Sequence, residues 1–387
     1  EGICYPPLPT AAHRRSGVGE RLLDVARRLP DRLHIELDAL ATRVLVDAQG
    51  AASGVEYLKG ARLYRAHPSP GTAPGERHEV HAQREVILCG GAFNTPQLLM
   101  LSGIGPVREL RAHGIDMQVD LPGVGRNLQD RYEVALTYRM SRPWEVLEGA
   151  RWEKDDALWQ RWHHSGDGMY GSNGAAVGLV SRSSGAATPE PDLFCMALLA
   201  RFEGYFPGFS KYISAHDDRL TWAVLKGRTR NHAGSVRLRS ADPGDPPLIN
   251  FAQFEEGSPG APDDLRAVVE AIRALRGFTG PLIDSGWIAE EIQPGGAVQG
   301  DEQLAQFVRD TAWGHHASCT CPIGPREQGG VLDSTLSVHG VSRLRVVDAS
   351  AFPHIPGFFV VAAVYMLAEM AADMLLASAR RSPGRVE

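Results

Sequence analysis

Two domains of mixed α/β and α+β class are predicted: a discontinuous α/β domain, enclosing a second domain built on an antiparallel sheet. Three observations carry this reading. A chain of 387 residues is longer than one ordinary domain. Strand-then-helix text stands in two sequence-distant blocks, near residues 84–103 and 344–377. Between them, from about Tyr132 to Val298, the texture changes: tryptophans appear at Trp144, Trp152, Trp159, Trp162, Trp222 and Trp287, and alternating stretches such as residues 235–238 read as antiparallel strands. The expected boundaries are 1–131 and 299–387 for the discontinuous domain and 132–298 for the inserted one.

The elements follow in order. Residues 20–29 read as a short amphipathic helix with Leu22, Leu23, Val25, Ala26 and Leu29 on one side. Strands are expected at 33–37, 43–46 and 54–58, and the Gly- and Pro-rich stretch 68–75 is a loop. The apolar run at 84–89 is a strand that breaks at Gly90-Gly91. A helix is expected to start near Thr95-Pro96, because proline is tolerated in a first turn, and to stop at Ser102-Gly103. The tail gives a strand at 344–347 and a helix over about 360–377.

Composition excludes several classes. Hydrophobic residues make up 43% and charged residues 22%, and the net charge of -6 comes from interspersed acids and bases, so neither nucleic acid nor an anionic membrane is an expected partner. The five cysteines, Cys4, Cys89, Cys195, Cys319 and Cys321, are an odd, sparse set that reads as reduced thiols. Cys319 and Cys321 form a C-x-C pair without a second pair at zinc spacing, so no metal is expected. The longest apolar run, 358–368, is interrupted by Glu369 and Asp373. It falls short of the roughly 18 to 20 residues that span a bilayer and reads as a buried helix, so no transmembrane segment is expected. The cytoplasm is the expected compartment, with any signal peptide lying upstream of Glu1.

Four strings carry chemistry. The first is GAFNTPQLLMLSGIG at 91–105, where glycines precede a helix N-terminus that presents free N–H groups. The second is GVGRNLQD at 123–130, a polar turn by composition. The third is WGHHASCTCPIG at 313–324. The fourth is LRVVDASAFP at 344–353 followed by Ile355-Pro356-Gly357 and the apolar helix with Ala368-Glu369 and Asp373.

Together these resemble the glucose-methanol-choline (GMC) family of FAD-dependent oxidoreductases over nearly the whole chain. The first string resembles the family's second signature throughout. The resemblance implies an FAD-binding, Rossmann-like domain, incomplete here, with Gly90, Gly91 and Asn94 at the cofactor. Asp348 and Ala349 inherit contact with the pyrophosphate-ribitol arm, and Ala41 stands where relatives place a valine whose backbone meets the adenine. Counting back from Thr320-Cys321, the family's catalytic histidine falls on His316, with His315 as the fallback, since two adjacent residues of an extended segment do not face one ligand. The chain departs from the family in three places: Arg131 follows Asp130 where histidine is usual, Cys319 stands for an inner glycine, and Phe359 occupies the place of a second active-site His or Asn. A phenyl ring neither donates nor accepts a proton. The resemblance implies Phe359 and its neighbour Val360 at the cofactor, with three accounts of the phenyl ring open: a branch that works with one histidine, a shifted register, or drifted flavin chemistry.

A flavin domain of this kind opens with strand, G-x-G-x-x-G and helix. That fingerprint is absent: Gly17-Val18-Gly19 continues with Glu20-Arg21-Leu22. A truncated chain is the simplest account, and poor FAD binding by this chain alone is the expectation. The implied activity is oxidation of a small-molecule alcohol to an aldehyde or ketone, with hydride to flavin N5 and a histidine base. Oxygen, a quinone or another carrier would accept the electrons. The alternatives are a flavin-dependent lyase or decarboxylase on the same fold, and a non-catalytic fragment or partner subunit of a split flavoprotein.

Overall fold

The structure, a computed structural model, describes residues 1–8 and 10–381. Its contacts divide the chain into two units. The first comprises Glu1–Ile35, Arg131–Gly227 and Pro262–Gly314, and the second Glu36–Asp130, Arg228–Ala261 and His315–Glu387.

The first unit is built on six strands in the order Gly2–Cys4, Ala175–Ser181, Leu193–Leu198, Arg219–Lys226, Tyr132–Met140, Ile288–Gln293. Every neighbouring pair is antiparallel. The Tyr132–Met140 strand reads as apolar and β-branched residues with few breaks, and Val134, Leu136 and Tyr138 are fully buried, as befits a central strand. The Ala261–Asp284 helix contributes Val268, Ile272 and Leu275 to the core. It is tied to the sheet by Thr279 Oγ1, which donates 3.1 Å to the Tyr138 hydroxyl, and by an edge-on contact of Phe278 with Trp222.

The second unit holds a three-stranded antiparallel sheet, Ala39–Val46, Ala52–Lys59 and Glu76–His81, and a parallel pair, Val86–Leu88 with Leu344–Val346. The parallel pair joins the two strand-then-helix blocks that the sequence separates by some 250 residues. Helix Gly91–Leu101 follows the first strand of the pair and helix Val361–Arg381 follows the second. Val44, Val86, Leu88, Leu99, Met100, Leu344, Val346 and Leu367 share one core. The Ser102-Gly103 stop of the signature has a packing role. Ser102 Oγ accepts from the Val44 N–H at 2.8 Å. Gly103 turns at φ +78°, where a Cβ would stand 2.4 Å from the Asp116 carbonyl oxygen.

Several expectations are corrected. Residues 1–35 cluster with the six-stranded sheet rather than with the segments that follow them, because Gly2–Cys4 pairs with Ala175–Ser181. The strand Ser235–Arg237 pairs with Leu248–Asn250 in the second unit, not in the large sheet. Residues 33–37 form no strand. The first helix runs Val18–Arg28 and buries none of its side chains. The signature helix begins at Gly91, and Pro96 lies inside it. The final helix, read as buried, exposes Val361, Tyr365, Met366 and Leu376 and buries Leu367 and Ala371. Folded as one helix it runs on through Glu369 and Asp373, so Val361–Ala379 is long and apolar enough, by length and composition, to cross a membrane. The count of uninterrupted apolar residues missed this because two acids in nineteen residues leave the mean hydropathy high.

Candidate cofactor and active site

The site residues of the second unit fall into two groups. The first surrounds the N-terminus of the Gly91–Leu101 helix. Its N-cap, Gly90, has no side chain to offer, and Gly91 turns at φ +77° with no atom within 4 Å of where a Cβ would stand. The Asp348 carboxylate is buried and fully engaged. Oδ2 accepts from Gly91 N at 2.9 Å and Thr95 Oγ1 at 2.6 Å, while Oδ1 accepts from Ser350 N at 2.7 Å. Asp348 thus pins the turn that follows the Leu344–Val346 strand to the helix start, and its side chain acts as a positioning group. Asn94 is exposed on the first turn, where Nδ2 donates to Tyr64 Oη at 2.9 Å and to Gln97 Oε1 at 3.1 Å.

Proline inside the helix leaves the Ala92 carbonyl without its helical donor. Thr320, from the third string, fills it: Oγ1 donates 2.7 Å to Ala92 O. Backbone bonds from Cys319 N to Ala349 O (3.0 Å) and from Cys321 N to Ser350 O (2.8 Å) lay the third string along the fourth. Cys319 sits at φ +74°, a left-handed conformation that favours glycine, the residue the family resemblance implies there. Burial pushes the Cys321 thiol up, with Asp348 adding to it, and pushes Cys195 up to about 12. Both thiols stay protonated and inert at neutral pH, as packed cysteines do.

The second group surrounds His316, which is 6% exposed. Its backbone N–H donates 2.8 Å to Asp130 Oδ1. Its ring lies 5.8 Å from that of Phe359, centroid to centroid, and 4.1 Å from that of His315, tilted by 38°. The two histidines therefore do not point apart as an extended segment predicts; their rings sit side by side, with His315 the exposed one. Phe359 is 43% exposed and Val360 half-buried. Ala41 belongs to neither group. It lies exposed in the Ala39–Val46 strand opposite Tyr57, beside a register shift.

Sequence reading missed the residues that hold these strings together. Asn127, at φ +61°, donates through Nδ2 to Cys319 O at 3.2 Å and Pro353 O at 3.1 Å. Gln129 donates to Asn127 Oδ1 at 2.8 Å and accepts from Ile355 N at 3.1 Å. The polar side chains of the second string thus clamp the third to the fourth. The signal was present as a run of amides beside an acid; their partners, some 190 to 230 residues away, were not.

For a flavin dinucleotide the fit test is the helix start. The positive helix end and the open space beside Gly91 suit an anionic group, while the Gly91 and Gly90 N–H groups are already taken by Asp348 Oδ2 and Thr95 Oγ1. The residues present therefore fit one part of such a group.

Models of the GMC oxidoreductase family match residues 1–133 and 230–368. An oxygen-dependent choline dehydrogenase of Burkholderia vietnamiensis (strain G4 / LMG 22486) is 34% identical over 371 residues, which are 95% of this chain and 60% of that protein. A similar enzyme of Burkholderia lata (strain ATCC 17760 / DSM 23089 / LMG 22485 / NCIMB 9086 / R18194 / 383) is 33% identical over 383 residues, 98% of this chain and 62% of the relative. Among solved structures, a formate oxidase of Aspergillus oryzae RIB40, studied for FAD modification, superposes with a TM-score of 0.74 at 28% identity. That match covers 89% of this chain and 60% of the other. A fungal aryl-alcohol oxidase gives a TM-score of 0.76 at 25% identity over 98% of this chain and 67% of its own. The chain thus spans about 60% of the length of the curated relatives it matches.

Proposed function

Because the chain belongs to the GMC oxidoreductase family, we propose that it takes part in the FAD-dependent oxidation of an alcohol to an aldehyde or ketone, with His316 as the base. FAD, when bound, supplies the two-electron acceptor that no amino-acid side chain provides. Gly90, Gly91, Asn94, Asp348 and Ala349 are the residues that the family resemblance would place against it.

The observation that carries the reading is the immobilisation of His316. Its backbone N–H is bonded to Asp130, and the residue is buried with its ring near those of His315 and Phe359. An imidazole held in this way is a positioned base. His316 takes the hydroxyl proton of the alcohol. Phe359 contributes no proton transfer; it shields the imidazole from one side.

The test is His316→Ala in the flavin-loaded protein, with bound flavin measured alongside turnover. Turnover lower by about 10²- to 10⁴-fold at unchanged flavin content is expected. Full turnover at full flavin content removes His316 from the mechanism. The apolar Phe359 beside His316 favours one second reading, a flavin-bound lyase. Anaerobic bleaching of the flavin by an alcohol separates the two, because a lyase leaves the flavin oxidised.

A further inference from the structure

We propose that the first unit carries a binding cavity for an uncharged aromatic or apolar molecule, and that this cavity rejects cations although its walls are rich in tryptophan. The cavity lies wholly within that unit and has a volume of about 590 Å³, a size that suits a small organic ligand. Trp152, Trp159, Trp162 and Tyr170 form one part of its wall, and Met196 and Phe202 another. Helix Ala157–Ser165 carries Trp159 and Trp162, the sheet strand Leu193–Leu198 carries Met196, and helix Phe209–Ser214 adds Phe209, Ser210 and Ile213 to the lining.

Walls of this kind admit two readings. Tryptophan and tyrosine faces cage quaternary ammonium ions, and the same faces pack against neutral aromatic rings. The surroundings of the rings decide between them. Protein groups already use part of this π surface. Trp159 is stacked on His163 at 4.5 Å and has Lys154 Nζ 6.0 Å from its centroid. Arg14 Cζ stands 5.7 Å from the Trp162 centroid. Trp152 is stacked on Tyr170 at 5.3 Å. Two resident cations therefore already use the quadrupoles of Trp159 and Trp162. None of the described lining residues carries a charge, so no carboxylate balances an incoming one.

Two of the polar tips are also engaged. The Tyr170 hydroxyl donates to Asp156 and accepts from Trp152 N, and Trp162 Nε1 donates to His13 O. What remains for a ligand is mainly apolar surface, together with the small polar side chains Ser172, Asn173 and Ser210. An uncharged ring with one hydroxyl group matches that inventory.

The test titrates the 387-residue chain with benzyl alcohol and, separately, with choline chloride, reading intrinsic tryptophan fluorescence. Benzyl alcohol is expected to give a saturable change. Choline is expected to give none at ten times the benzyl alcohol concentration for half-saturation. Ser210→Phe and Asn173→Phe each place a ring into the cavity from an exposed lining position. Each is expected to raise the half-saturating concentration at least tenfold with the circular dichroism unchanged. If one variant does not fold, the other and the contrast between the two ligands still decide. Saturation by choline at an equal or lower concentration, no saturation by benzyl alcohol, or saturation that both folded variants leave intact overturns the proposal. Binding is read without flavin or turnover, so failure here leaves the His316 mechanism untouched, and the reverse holds.

Discussion

The Thr320 hydroxyl donates 2.7 Å to the carbonyl of Ala92, the one acceptor in its helix that Pro96 cannot fill. Two strings that stand 228 residues apart are joined by this bond, and a proline inside a helix is thereby tolerated.

Thr320→Val keeps the shape and removes the donor. It is expected to lower stability by about 1–3 kcal/mol, the usual range for a buried acceptor left unmade. Pro96→Ala restores a backbone N–H facing Ala92, so the Thr320→Val loss should shrink in that background. Chemical denaturation of the four proteins of the cycle measures it, and an equal loss in both backgrounds would show that the bond does not serve this purpose.

Lys226 is buried with two acids. Its Nζ lies 3.3 Å from Asp192 Oδ2 and 3.3 Å from Asp264 Oδ1, and it donates 2.7 Å to Gly227 O. Lys226→Met removes the ammonium that both buried carboxylates share and is expected to cost about 3–5 kcal/mol. Chemical denaturation of the two proteins at pH 7 would read it, and an unchanged midpoint would show that the ammonium does not hold these acids in the fold.

Asp156 caps the helix that carries Trp159 and Trp162, accepting from Trp159 N at 2.8 Å and Arg151 N at 2.9 Å. Burial alone would raise its pKa, but the Tyr170 hydroxyl and these N–H donors outweigh burial and hold it below the ordinary carboxylate range. A depressed folded value stabilises above the unfolded carboxylate pKa, near 4, and that contribution is lost as pH falls through the folded one. Asp156→Ala should cost about 1 kcal/mol or more near pH 7. The gap to the parent chain should narrow progressively below about pH 4. A gap that is constant with pH would show that the carboxylate charge is not what caps the helix.

On the proposed mechanism the two histidines are unequal despite their adjacent rings. His316→Ala should lower kcat by about 10²- to 10⁴-fold, and His315→Ala, at the exposed ring, should give a smaller fall. Steady-state kinetics on both variants at equal flavin content compares them, and the reverse order would move the base to His315.

Much of the second unit was legible in the chain. The two strand-then-helix blocks were readable as parts of one discontinuous domain, and the register of Thr320-Cys321 against the family motif pointed to His316, the buried histidine of the pair. Less legible was anything set by a distant partner. The signature helix starts at Gly91 rather than near Pro96, because Asp348 and Thr320 supply what the local sequence withholds. Residues 1–35 join the six-stranded sheet through Gly2–Cys4, a strand too short to show any periodicity.

The sequence by itself determined the family, the mixed fold class and which short strings matter, since each of these is a local pattern of residue types. Tertiary structure alone decided that Asn127 and Gln129 clamp two other strings, that Asp348 spends its carboxylate on a helix start, and that tryptophans scattered from 152 to 162 wall a cavity with Phe202 and Met196. The physical reason is the same in each case. A hydrogen bond or a ring contact is set by distance in space, and the chain carries no mark of which remote residue will arrive there.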